Sequence, residues 1–307
     1  MDKPGILKMI RAPFLSSIIT PLLAGTLLAA GVGSGVYLPG LLMVLIIGIG
    51  LHAAVNVYND IYDTIQGTDR VNVHRNEASG GSGILQDHPS LMGRMFQIAR
   101  ASLLIALAGT LVLAFLVSRD LLPLLGFLYV LSAFFSKYYT APPVKLAYRG
   151  MGEVSVWFAF GPMAVMLASV GQDLGWHPQI GFLMPATGLS TLSILLVGQL
   201  IDLDADRQGG KRGVASRLGT RFTSVLYLLV QLGIVANIVL LYLYLPTPSW
   251  PVLLALIPYL FVFPVAAAGI VRDHGKPGPL KKVAKLTVLL HLLFSFFLVA
   301  GLLFRLL

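Results

Sequence analysis

No cysteine occurs among the 307 residues, which excludes disulfides, thiolate metal sites and a cysteine nucleophile. Charge is nearly as scarce, at 11% Asp, Glu, Lys and Arg, against about 25% in an average soluble domain. A water-soluble globular domain is thereby excluded. What fills the chain instead is apolar: 56% of residues are hydrophobic and the mean hydropathy is +0.83. Apolar runs long enough to cross a bilayer as helices fall near 15–34, 39–58, 97–117, 121–139, 152–170, 180–201, 222–244, 251–270 and 286–304. The expectation is an all-α membrane protein, a bundle of about nine transmembrane helices with polar cytoplasmic loops. No linker with a shift in composition interrupts it, so 1–307 is read as a single domain. The first run follows three basic residues, as a signal peptide would, but no convincing small-residue cleavage site precedes the polar motif and the second run follows almost at once. It is expected to be a retained helix.

Acid is the rarer charge, with 13 Asp and Glu against 22 Lys and Arg and a net charge of +9. The bases are juxtamembrane, where topology and anionic lipid explain them, and nucleic acid is not an expected partner. Of the 22 Lys and Arg, 20 fall before the first run or in the connections that follow the second, fourth, sixth and eighth; Arg119 and Arg305 are the exceptions. By the positive-inside rule those connections are cytoplasmic. The same connections are the longer, more polar ones, and they face the lipid bilayer's cytoplasmic surface.

The few acids are not scattered. Asn56, Asp60 and Asp63 end the second run at i, i+4 and i+7, on one helical face. Gln199, Asp202 and Asp206 end the sixth in a weak echo, four helices later and on the same side of the membrane. Carboxylates at a helix C-terminus face the negative end of the macrodipole, so a bound cation is expected to compensate. Acids at the ends of membrane helices are costly and read as functional. Two such clusters suit Mg²⁺, a hard ion that bridges carboxylates to substrate phosphates. Arg70 and Arg75 flank the first cluster, in a loop that continues into the glycine-rich stretch 79–83, and Arg207, Lys211 and Arg212 flank the second. Together they form a diphosphate clamp, with Arg70, Arg75 and Lys211 as the cations. A diphosphate so neutralised becomes a leaving group, and an allylic one can ionise to a carbocation. Aromatic side chains such as Tyr139 or Trp157 are candidates to face that cation.

Both stretches resemble the signature motifs of the UbiA superfamily of intramembrane prenyltransferases. Tyr139-Thr140-Ala141-Pro142-Pro143-Val144-Lys145 is similar to a further segment of that family, after the fourth helix. The resemblance covers nearly the whole chain. It implies a nine-helix bundle joining a polyprenyl diphosphate to a small aromatic acceptor. It implies Asn56, Asp60, Asp63, Asp202 and Asp206 as Mg²⁺–diphosphate ligands, and Lys145 and Tyr139 as diphosphate-binding groups. The spacing of Asn56, Asn59, Asp60, Asp63, Gly67 and Asp69 looks like the branch that prenylates 1,4-dihydroxy-2-naphthoate in menaquinone biosynthesis and releases the ring carboxylate as CO₂. Gln199 and Ile201 depart from that branch, which often carries Asn or Arg there. Alternative acceptors are 4-hydroxybenzoate, homogentisate, or a lipid or carotenoid. A bacterial or archaeal plasma membrane with a cytoplasm-facing site is the expected location.

Other residues have ordinary explanations. Asp69, Asp87 and Asp204 are equally well solvated loop acids. Glu153 is expected to cap the fifth helix and His291 to make an interhelical hydrogen bond; His52, one turn before the first motif, either touches the site or packs inside the bundle. Trp176 and Trp250 read as interfacial anchors. The rival class is an ion-coupled transporter, which does not explain acids at cytoplasmic helix ends rather than at the midplane.

Overall fold

The structure, a computed structural model, describes residues 4–33, 35–72 and 81–307. It is helical throughout, with no strand among the described residues. Among the described residues, eight helices are long and apolar enough to span a membrane: α1 (Ala12–Ala30), α2 (Leu38–Gln66), α3 (Pro89–Ala114), α4 (Arg119–Tyr138), α5 (Gly152–Gly171), α6 (Pro178–Ile201), α7 (Val214–Tyr244) and, last in the chain, α9 (Pro277–Leu306). Between α7 and α9 lies α8, a broken pair made of Trp250–Phe261 and Phe263–Asp273 bent by 42°. The chain is thus a multi-span integral membrane protein, as its composition requires.

Local chemistry sets several of the ends. Proline stands in the first turn of α2, α4, α6 and α9, where its missing N–H has no intrahelical partner to lose. Gly67, at φ 88°, ends α2 in the left-handed region. That end comes two turns past the expected boundary at 58, so the first acidic motif is wholly helical. The second is not. The helix α6 stops at Ile201, Asp202 sits in the break at φ −90° and ψ 6°, and Leu203–Gln208 restarts as a short helix. The Asp206 amide still donates to the Asp202 carbonyl at 2.8 Å, so the two acids stay on one side of a kinked chain rather than on one continuous helical face.

The helix α1 is central: it packs on α2, α5, α6 and α9. Around it α2 pairs with α3 and α4, α6 with α7, and α8 with α9. The α5–α6 crossing is very close. A side chain on Gly161 would run into the Met184 carbonyl, and one on Gly188 into the Trp157 carbonyl. Small residues at such contacts let backbones approach in a membrane, where packing rather than water exclusion drives association. At the same place α5 widens into a π-turn, Ala159–Met163, around Pro162, a distortion common beside functional sites. Trp176 and Trp250 are exposed at span ends.

Candidate active site

A cavity of about 290 Å³ lies between α1, α2, α4, α5 and α6. On α2 its wall is Gly48, Leu51, His52, Val55, Asn56 and Asn59, a stripe at the helical period of three and four. On α5 the stripe runs Ser155, Val156, Ala159, Phe160 and Met163. This register turns Trp157 away from the cavity, against the core around α6. The aromatic walls are Phe14, Phe135, Tyr139 and Phe160; of the two aromatic candidates, Tyr139 lines the cavity and Trp157 does not. The mouth is polar: Arg11, Asn56, Asn59, Asp202, Asp206 and Lys211.

Each acidic motif is held by the segment that follows the other. Lys211 Nζ, after the second motif, donates to Asp63 Oδ2 of the first at 2.6 Å. Asn72 Nδ2, after the first motif, donates to Asp202 Oδ1 of the second at 2.9 Å. The two segments can meet because Gly209 lies directly on the Thr68 side chain, where a Cβ would collide. Asp63 Oδ1 accepts from the Tyr148 hydroxyl at 2.7 Å, and that hydroxyl also bonds Thr68 at 2.8 Å. Burial, and then the Asp63 carboxylate beside it, holds Tyr148 firmly protonated. Asp60 is held differently. Its Oδ1 accepts from the Ser82 amide at 3.2 Å and faces Arg11 at 3.9 Å.

The electrostatics follow from taking acids out of water. Burial pushes Asp206 up to about 7 against the pull of Lys211, and burial followed by the Asp63 charge pushes Asp69 up to about 8. Lys211 is held well above the ordinary lysine range: its burial opposes charge, but Asp63 and Asp206 outweigh it. This cation therefore stays charged at any working pH.

Within the first motif, Asp60 Oδ2 and Asn59 Oδ1 are buried without a hydrogen-bond partner among the described residues. Bare acceptors in such a place suit a hard cation. Among the described residues no three Asp, Glu or His side chains lie close enough to hold a metal ion by themselves. The donor set fits an ion whose coordination is completed by oxygens of a bound substrate.

Not every residue singled out from sequence reaches this mouth. Asn56 lines it while donating to the Ile10 carbonyl at 3.1 Å. Asp60 and Asp63 are buried just behind it. Lys145 stands off the cavity, its ammonium 5.6 Å from the Tyr148 ring. Arg70 ends a 3₁₀ turn that carries Thr68 and Asp69 inward, which leaves Arg70 itself exposed. Arg75 lies outside the described residues, as do Ser79 and Gly80 of the glycine-rich stretch; Gly81 packs on the Asp69 carboxylate. Asp69 is buried, whereas Asp87 and Asp204 are exposed. Glu153 does not serve its own helix: its Oε1 accepts from the Val214 amide at 2.6 Å and from Gln199 Nε2 at 2.8 Å. It thereby satisfies an orphan N–H at the start of α7, and Gln199 is a brace rather than a ligand. His291 bonds Ser190 at 2.8 Å between α9 and α6. Two residues were not anticipated. In the sequence Arg11 reads only as one of the three bases before the first run, and Tyr148 carries no signal beyond lying three residues after Lys145.

Fold and site together define a helical membrane protein that gathers two acidic motifs and a buried lysine at the mouth of an apolar cavity. The chain belongs to the UbiA prenyltransferase family, whose model matches residues 18–289, and it is accordingly a prenyl-transferring enzyme. It is 34% identical over 234 residues to 1,4-dihydroxy-2-naphthoate octaprenyltransferase of Mycobacterium tuberculosis (strain ATCC 25618 / H37Rv), covering 74% of this chain and 75% of that one. The enzyme of the same name from Mycobacterium leprae (strain TN) is 31% identical over 231 residues, 74% of each chain. Among solved structures, a UbiA homolog from Aeropyrum pernix K1 superposes with a TM-score of 0.64 at 16% identity over 95% of this chain and 98% of that one. A UbiA homolog from Archaeoglobus fulgidus bound to DMAPP and Mg²⁺ gives 0.56 at 13% identity, over 97% and 99%. Family membership sets the transporter reading aside.

Proposed function

We propose that this enzyme transfers a polyprenyl group from its diphosphate to 1,4-dihydroxy-2-naphthoate, with loss of CO₂, in menaquinone biosynthesis. It acts as a single domain over 1–307, at the cytoplasmic face of a bacterial or archaeal plasma membrane. The observation that carries this is the reciprocal tie between the motifs, Lys211 to Asp63 and Asn72 to Asp202, at the mouth of an apolar cavity. The names of the mycobacterial relatives support the acceptor.

Asp60, Asp63, Asp202 and Asp206, assisted by Asn56, would hold Mg²⁺, as the A. fulgidus homolog's Mg²⁺ complex supports. When bound, Mg²⁺ supplies Lewis-acid neutralisation of the diphosphate. Lys211 and Arg11 at the mouth, with Arg70 and Lys145 in the surrounding loops and Arg75 from outside the described residues, supply positive charge to the departing group. Tyr139 lines the passage between mouth and cavity. The apolar walls hold the isoprenoid tail and exclude water from the allylic cation, which would otherwise be quenched to an alcohol. The C1–O bond breaks, diphosphate leaves, and a ring carbon of the acceptor forms the new C–C bond. The ring carboxylate then departs as CO₂.

The test is a Mg²⁺-dependent assay in liposomes, with a polyprenyl diphosphate offered against 1,4-dihydroxy-2-naphthoate or 4-hydroxybenzoate and products read by mass. A prenylated naphthoquinol lacking its carboxylate is expected. Product with another acceptor alone would overturn the pathway, and full turnover by Asp60→Asn or Asp202→Asn would overturn the metal assignment.

A further inference from the structure

Transfer to a flat aromatic acceptor needs more than a diphosphate clamp. The reacting ring carbon must come within about 3–3.5 Å of the prenyl C1, and C1 is bonded to the group held at the mouth. The acceptor therefore lies in the layer of cavity just inside the clamp. On α2 that layer is one turn, about 6 Å, deeper than Asn56, and the residue there is His52.

His52 lines the cavity yet is only 7% exposed. Its Nδ1 has no hydrogen-bond partner among the described residues. Phe160, on the π-turn of α5, meets the imidazole at 4.9 Å and 74°, edge to face, and fixes the ring plane against the wall. Three polar side chains that also line the cavity are already engaged. Ser136 donates to the Leu51 carbonyl at 3.0 Å, Ser155 to the Met151 carbonyl at 2.6 Å, and Gln199 to Glu153 at 2.8 Å. A buried ring nitrogen left without a partner in a membrane is costly; Nδ1 is closed off by the wall, and a half-turn of the imidazole, which keeps its plane against Phe160, would bring it to a substrate oxygen in the cavity. A prenyl tail could not serve, because it has no polar atom.

We infer that His52 is a specificity-determining residue that hydrogen-bonds a ring oxygen of the hydroxyaromatic acceptor and orients its nucleophilic carbon toward C1. The inference rests on the prenyl-transfer reading above. It explains why this π-turn brings Phe160 beside a histidine rather than beside another aliphatic wall. It also divides the cavity chemically, with diphosphate at the mouth, acceptor oxygen at His52, and tail along the apolar remainder.

Steady-state kinetics of His52→Ala and His52→Gln in liposomes, with each substrate varied in turn, test it. Loss of one such hydrogen bond is worth about tenfold. His52→Ala is expected to raise KM for the acceptor about tenfold, with KM for the prenyl diphosphate unchanged. His52→Gln, which keeps a donor and an acceptor, is expected to recover most of the difference. The decisive comparison is an acceptor analogue lacking one ring oxygen. The parent enzyme should discriminate against it about tenfold, and His52→Ala should not discriminate at all. Wild-type acceptor KM in both variants, or an equal rise for both substrates, would overturn the assignment while prenyl transfer stands. A parent enzyme that transfers to no hydroxyaromatic acceptor would overturn the underlying reading instead. If His52→Ala does not fold, His52→Leu, which fills similar space without a polar atom, decides with the analogue: a raised acceptor KM and lost discrimination with intact diphosphate KM are expected, and parent values of both would overturn the assignment.

Discussion

Replacing Lys211 by Met probes the tie between the motifs. The Lys211–Asp63 pair is 2.6 Å long, with side-chain exposures of 18% and 2%. Removing one partner of a buried pair costs about 3–5 kcal/mol, because the other charge is left uncompensated. Asp63 would keep the Tyr148 hydrogen bond, and Lys211 is partly solvated, so the lower end applies, about 3 kcal/mol. For a chain this long the unfolding entropy is about 0.6 kcal/mol per degree, which converts that loss to about 5 °C in Tm. The assay is thermal unfolding in detergent, in EDTA and in Mg²⁺. Lys211→Met should melt about 5 °C lower in EDTA, and Mg²⁺ should raise its Tm more than it raises the parent's, because the ion replaces the missing positive charge at Asp63. The prenyl diphosphate KM should rise at least tenfold, the worth of a charge-assisted hydrogen bond of about 1.5–3 kcal/mol. An unchanged Tm in EDTA together with an equal Mg²⁺ shift would refute the reasoning.

The remaining predictions concern protons and bracing. Asp206 at about 7 and Asp69 at about 8 both lie above the ordinary aspartate value. Their raised values favour the folded protein fully below about pH 4, and that contribution is lost as pH rises through about 7 to 8. Mg²⁺ held by Asp206 displaces its proton, so its affinity should climb between about pH 6 and pH 8 with measurable proton release by calorimetry; a flat affinity across that range would count against Asp206 as a ligand. Glu153→Ala should destabilise by about 3 kcal/mol, because Gln199 and the Val214 amide lose their shared acceptor, whereas Glu153→Gln, which retains a carbonyl oxygen, should melt within a few degrees of the parent. Equal melting of the two variants would show that the brace is not made by that oxygen.

Much of this protein is decided by local chemistry. Hydrophobic length alone placed eight spans and the bent pair α8, with most ends within two turns, since each span must cross the bilayer with its backbone hydrogen bonds closed internally. Charge alternation between loops put both acidic motifs at one membrane face, and helical period put Asn56 and Asp60 on one face of α2. The α2 boundary and the break at Asp202 were missed because a polar helix end carries no hydropathy signal and the kink depends on what the segment packs against. Partners were decided by the tertiary structure. Lys211 and Asp63 are 148 residues apart, Glu153 caps a helix that starts 61 residues later, and Arg11 comes to Asp60 only because the segment before α1 folds across the mouth. Trp157 shows the reason most simply. The period fixes which residues of α5 share a stripe, but the rotation of that stripe is set by the backbone contact between Gly161 and Gly188, and that contact turned Phe160 toward His52 and Trp157 away.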